Sequence, residues 1–146
     1  MTTIAASVRF NEIAADSMIS GQDTHYAVSK LRSLRSSAIG AAGDWRHILE
    51  FYKRLARKKA LDADCDISAI ELRRDGIWVY ESTVIPARIE QDFFAVGTGA
   101  GYAIAAMHLG KSPQEAVEIA ALFDPNTRGP VHVLKLGAPR AKKRTR

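Results

Sequence analysis

A single cysteine, Cys65, stands in the chain, so no disulfide can form within it and no cysteine-based metal cluster can be built. A reducing, cytoplasmic setting is therefore the expectation. No apolar run is long enough to cross a membrane as a helix, and no basic-then-apolar leader is present, so no membrane partner is expected. Net charge is scarce outside one short stretch. The formal charge is +5, and Arg140, Lys142, Lys143, Arg144 and Arg146 carry all of that surplus. The body, residues 1–138, is neutral, unlike the clustered basic footprint of a nucleic-acid-binding surface, and the tail at 139–146 reads as a solvated end.

What is present is enough apolar material for one core: 47% of 146 residues are hydrophobic, which suits a single domain. The stretch from Thr2 to Val8 is small, uncharged and largely apolar. Chain ends are usually polar and frayed unless something ties them down, so burial of this segment is expected. Read plainly, Thr2 and Thr3 are β-branched residues that start a strand. If Met1 is removed, however, Thr2 carries a hydroxyl nucleophile together with a free α-amine whose ordinary pKa, roughly 7.7–8, suits a base near neutral pH. One residue would then hold both halves of an acyl-transfer machine.

Along the chain, Ile4 to Phe10 and Ile13 to Ser17 are β-type runs around a turn at Asn11-Glu12. Ala27 to Leu34 reads as a strand with a turn in it. Ala38 to Gly43 is small and apolar, with glycines that permit close backbone approach. Asp44 is a good helix N-cap, and Trp45, Ile48, Leu49, Tyr52, Leu55 and Ala56 recur at helical spacing behind it. Ser68 to Leu72 and Ile77 to Ser82 flank Asp75-Gly76, a strong hairpin signal. Phe93 to Val96 is a short strand, Tyr102 to Leu109 a helix apolar nearly all round and so expected inside, and Ser112-Pro113 with Glu115 opens a second helix through Phe123. Val131 to Leu136 is a final strand. Antiparallel groups of strands with segregated helices give an α+β layered domain.

Three motifs fail on inspection. Asp62, Asp64 and Asp66 imitate a calcium loop, but Ile67 and Arg73 occupy the places of its glycine and glutamate. Gly97 to Gly101 has its third glycine one residue early for a dinucleotide loop. Before Gly110-Lys111-Ser112, Ala105 stands where a phosphate loop needs glycine. No cofactor and no metal is expected.

Six segments in order carry a resemblance: Thr2-Thr3-Ile4, Ala14-Ala15-Asp16, Val28 to Arg32 around Lys30, Gly40 to Gly43, Val96 to Gly99, and Asp124 through Thr127 to Gly129. Together they resemble a proteasome β-type subunit, or the peptidase subunit of the bacterial two-component ATP-dependent protease, both N-terminal nucleophile hydrolases. The resemblance implies an αββα four-layer sandwich spanning residues 1–138 and a threonine-type peptidase acting on peptides or unfolded proteins. It implies Thr2 as nucleophile, Lys30 beside its hydroxyl, Asp16 fixing the ammonium, and the Gly43 N–H as oxyanion donor. Thr98 and Thr127 would hydrogen-bond near the terminal amine with Asp124 orienting them, and Ile19, Val28 and Ala41 would line the pocket for the residue before the scissile bond. Read without it, Lys30 is a solvated charge on a strand, Asp16 a turn residue, Gly43 the residue before a cap, and Thr98 and Thr127 turn and cap chemistry.

The chain departs from that pattern twice. Between the first helix and the Ser68 strand there is no room for a second long helix, so one outer helix is missing. Asp44 and Trp45 also follow Gly43 where small residues are common. The missing helix leaves part of the sheet, or Phe51, Tyr52 and Leu55, to be covered by another copy, which points to a homo-oligomeric ring; an ATPase unfoldase partner would meet an incomplete groove. The rival expectation is a catalytically silent ring or scaffold subunit.

Overall fold

The computed structural model describes residues 2–137; the readings of Met1 and of the basic tail at 139–146 fall outside the described residues. Strand β1 (Thr3–Ser7) runs behind Thr2 and is buried along its whole length. It pairs antiparallel with β2 (Glu12–Ala15) on one side and β10 (Phe93–Gly97) on the other, and β11 (His132–Lys135) closes the sheet in the order β10-β1-β2-β11. Asn11 makes the β1–β2 turn with φ +51°, as a short polar residue can. A terminal segment made of threonine, isoleucine and alanine thus becomes a central strand, because its small side chains admit layers on both faces.

The second sheet has the order β5 (Leu31–Ser33), β6 (Ala38–Gly43), β7 (Ile67–Arg73), β8 (Gly76–Glu81) and β9 (Ala87–Ile89). Side chains alternate across each strand. Ile4 and Ala6 of β1 meet Ala38 and Ala42 of β6 and Ile70 and Leu72 of β7 between the two sheets. Ala5, Ala14 and Ala95 face the opposite way, against Ala103, Ala106, Ala116 and Ala120 of two helices, α2 (Ala100–His108) and α3 (Pro113–Phe123). On the far side of the second sheet, Ile39, Ala41, Ile67 and Ala69 pack under Ile48, Phe51 and Tyr52 of helix α1 (Trp45–Arg57). The result is four layers, two helices, sheet, sheet, and one helix. The expected sandwich with one outer helix missing is what the chain builds.

Helix ends follow their local chemistry. Asp44 accepts from the Arg46 N–H at 2.9 Å, and Lys58 closes α1 in the left-handed region at φ +54°. At α3, Pro113 has no N–H to lose, Ser112 Oγ accepts from Glu115 N–H at 3.2 Å, and Glu12 of β2 accepts from Gln114 N–H at 3.0 Å. That last bond uses a strand carboxylate to anchor the helix on the first sheet.

Three expectations need correction. The Ala27–Leu34 segment is not one strand: β4 (His25–Ala27) pairs with β3 (Met18–Ser20) in a separate two-stranded sheet, and β5 begins only at Leu31. β9 and the β3–β4 pair are three-residue strands too short to show a periodicity. Helix α2 is not interior: Ala103, Ala106 and Met107 are buried, but Tyr102 is 47% exposed and its ring stacks on Phe123 at 5.4 Å. Phe51 and Tyr52 are not left uncovered, being 0% and 7% exposed, and Leu55 is half-buried; among the described residues exposed apolar side chains cluster at Tyr102, Leu109, Leu122 and Phe123 of the α2–α3 layer, with Ile85 and Leu49 exposed elsewhere. No helix among the described residues is long and apolar enough to cross a membrane.

Candidate active site

The N-terminal end of β1 is fixed by its neighbours. Thr98 N–H donates to the Thr2 carbonyl at 2.9 Å, continuing the β1–β10 ladder past Gly97. Gly97 has φ +99°, and a Cβ there would overlap the Thr2 carbonyl oxygen, so only glycine lets the strands meet this closely. Thr2 is 3% exposed and Thr3 fully buried.

Asp16 follows β2 and is 1% exposed. Its Oδ1 accepts from Thr2 Oγ and, at 2.9 Å, from Thr3 N–H; its Oδ2 accepts from Lys30 Nζ at 3.0 Å and Arg128 N–H at 3.2 Å. Four donors around one carboxylate satisfy it as an anion. Lys30 lies in the break between β4 and β5, where the backbone leaves the two-stranded sheet for the five-stranded one. Its three ammonium protons are all placed: on Asp16, on Met18 O at 2.8 Å and on Thr2 Oγ at 2.5 Å. Burial pushes the Lys30 ammonium below the ordinary 10.5, and the Asp16 charge and hydrogen bond offset only part of that. The Thr2 hydroxyl therefore accepts from a cation and donates to an anion, which polarises its O–H bond.

A second group lies across β1. Thr98 Oγ and Thr127 Oγ each donate to Asp124 Oδ2 at 2.6 Å, and Asn126 N–H donates to Oδ1 at 3.1 Å. Burial would raise the Asp124 pKa, but these bonds outweigh it and hold the carboxyl below its ordinary 3.8. Thr127 and Thr3 hydroxyls lie 2.6 Å apart. Because Thr127 spends its one proton on Asp124, Thr3 is the donor in that pair. Asp124 thus braces β1 through Thr127 and Thr3, and Thr98 braces it through the Thr2 carbonyl.

Gly43 ends β6 opposite Ile67 with φ +139°, and a Cβ there would lie 2.7 Å from Asp66 O. With Thr2, Lys30 and Thr98 it borders a cavity of about 930 Å³. Ile19 lines that cavity as expected, but Val28 and Ala41 do not. Ala41 points to the α1 side, fully buried with Phe51 and Tyr80, and the neighbouring Ala42, on the other face of β6, borders the cavity in its place. Val28 is half-buried, its N–H held by Ser17 O at 2.7 Å. Sequence reasoning missed Met18 and Arg128, which act through backbone groups, and Tyr26 and Trp45, which line the cavity.

No protein-family model and no curated protein matches the chain. Solved structures do. The chain is similar to eukaryotic HslV from Trypanosoma brucei, at 19% identity, over 92% of this chain and 99% of that one, with a TM-score of 0.71. It is also similar to the Thiobacillus denitrificans BPH protein, solved in complex with epoxomicin, at 16% identity over 94% and 99% of the two chains with a TM-score of 0.66. Anbu, an ancestral beta-subunit from Yersinia bercovieri, matches at 13% identity over 93% and 81%, with a TM-score of 0.67. The chain has the proteasome β-type, N-terminal nucleophile hydrolase fold. At these identities the likeness carries architecture alone.

Proposed function

We propose that the chain is a threonine-type peptidase in which Thr2, freed of Met1, cleaves peptide bonds through an acyl-enzyme. The observation that carries this reading is the buried contact of Lys30 Nζ with Thr2 Oγ, with Asp16 bonded to both. A buried ion pair is a poor stabilising device, since desolvation consumes most of its attraction, and this one converges on a hydroxyl. Removal of Met1 converts the Thr2 amide nitrogen into a basic amine. The hydroxyl proton passes to that amine as Oγ bonds to the scissile carbonyl carbon, and the carbonyl electron pair moves to oxygen, where the Gly43 N–H is the proposed donor. The Lys30 ammonium stabilises the developing alkoxide. When the C–N bond breaks, the amine delivers its proton to the leaving nitrogen; water then attacks the Thr2 ester by the reverse proton route and restores the hydroxyl. Asp16 keeps Lys30 charged enough to do this, while Thr98, Asp124 and Thr127 hold β1 in place.

Peptides or unfolded segments are the proposed substrates, and a closed oligomer of this chain the proposed working form. What supports assembly is the α2–α3 surface, where Leu109, Leu122 and Phe123 are 80%, 77% and 62% exposed. An ATPase partner has less support, because α1 stands alone on its side and offers no groove between paired helices. Intact-mass measurement on active protein tests the mechanism: the active species should begin at Thr2, and full activity from a species retaining Met1 would sink it. A correctly processed chain that hydrolyses no peptide would favour the silent scaffold.

A further inference from the structure

The cavity beside Thr2 has two aromatic walls that the catalytic reading does not use. Trp45 is the first residue of α1, two positions after Gly43, and is half-buried against the Ile48–Phe51–Ile67 cluster while also bordering the cavity. Tyr26 is on β4, opposite Ile19 in register, and is 49% exposed. One belongs to helix α1 and the other to the two-stranded sheet, and both border the cavity. Met18, Ile19, Ala42 and Ile48 supply further apolar lining between them.

The charges nearby do not compete for an apolar occupant on equal terms. Asp44 is committed to the Arg46 backbone N–H and to its guanidinium, 3.3 Å away. Lys30 has no free proton. His47 accepts the Asp66 N–H on Nδ1 at 3.3 Å, so that ring nitrogen is already engaged. Asp66 lines the cavity with no salt-bridge partner among the described residues, so a cationic occupant is the alternative that must be tested against.

Resting on the peptidase reading above, we propose that Trp45 and Tyr26 are the specificity-determining residues of this site and select a planar aromatic side chain on the residue before the scissile bond. Flat rings on two walls reward a flat ring between them with offset or edge contacts that an aliphatic side chain of similar volume does not make, beyond the area each would bury. A small residue would leave the indole and phenol in contact with water, and a charged one would lose its hydration without a partner.

The test uses full-length processed protein and peptidyl-coumarin amides that differ only in the residue before the coumarin: Phe, Trp, Leu, Ala, Lys and Asp. For each variant the readout is the ratio of kcat/KM values measured on one sample, which is independent of how much of that sample is folded. Wild type should cleave the Phe peptide about tenfold faster than the Ala peptide, and faster than Leu. Trp45→Ala and Tyr26→Ala should each collapse the Phe-to-Leu preference, and Trp45→Phe should restore most of it. Hydrolysis fastest after Leu or Lys, or ratios unmoved by both alanine variants, would overturn the specificity assignment and leave the peptidase reading standing. Absence of hydrolysis of every peptide, together with no adduct on Thr2 from a peptide aldehyde by mass spectrometry, would overturn both.

Discussion

Lys30 Nζ stands 2.5 Å from Thr2 Oγ and 3.0 Å from Asp16 Oδ2, although Lys30 belongs to no strand of the three sheets. If the contact serves the proposed chemistry, Thr2→Ala and Lys30→Ala should each abolish peptide hydrolysis, a loss of at least a few kcal/mol in the activation barrier. Thr2→Ser should retain part of the rate, since the hydroxyl remains and only the orienting methyl is gone. Turnover on a fluorogenic peptide, with circular dichroism to show the variants folded, measures this; undiminished turnover by Thr2→Ala would place the nucleophile elsewhere.

The same lysine sets an expected pH dependence. Its folded pKa lies below the ordinary 10.5 because burial dominates. Between the folded and unfolded values the unfolded chain binds the additional proton, so this group makes the fold more stable as pH rises through that window. Activity runs the other way: once the ammonium is neutral it no longer stabilises an alkoxide. The rate should fall on the alkaline side before pH 10.5 while the Lys30 contribution to thermal stability rises, and Lys30→Met should lose that stability component.

Gly97→Ala tests how tightly β1 is held. The added methyl meets the Thr2 carbonyl at a residue whose φ is +99°, so the strand must shift or the Thr98 N–H bond must break. The backbone strain alone is about 1–3 kcal/mol. Thermal melts should show that loss, and activity should fall further than stability because the displaced atom belongs to Thr2, the proposed nucleophile. A variant with native melting and native rate would show that the ladder tolerates a side chain here.

Assembly is expected through the α2–α3 layer. Leu122→Glu, at a position 77% exposed, should cost little in the fold of one chain but should dissociate an oligomer built on that face. Light scattering at micromolar concentration should report a multiple of the chain mass for wild type and a smaller species for the variant. A stable wild-type monomer with full peptidase activity would remove the proposal.

Much of this architecture is legible in the sequence because local chemistry and tertiary role agree. Asn11, Asp44, Ser112-Pro113 and Asp75-Gly76 mark turns and caps that the fold uses where they stand. The Thr2–Val8 run reads as buried because it is small and carries no charge. Legibility ends where period two must be given a starting phase: Ala41 and Ala42 are the same residue to a sequence reader, yet one packs on Phe51 and the other faces the cavity. It ends again at Lys30, whose flanks are β-like although the chain is leaving one sheet for another. Backbone donors such as Arg128 N–H carry no side-chain signature at all.

Asp16 gathers Thr2 and Thr3 from the start of the chain, Lys30 from the crossing between sheets, and Arg128 N–H from 112 residues downstream. Order of folding then matters. Thr2 and Thr3 are not fully ordered until the Arg128 segment has folded back, because the Asp16 carboxylate that holds them is itself finished by the segment before β11. Closing a loop of that span is slow, and it comes late. A chain with this layout assembles the surroundings of Thr2 late in its own folding.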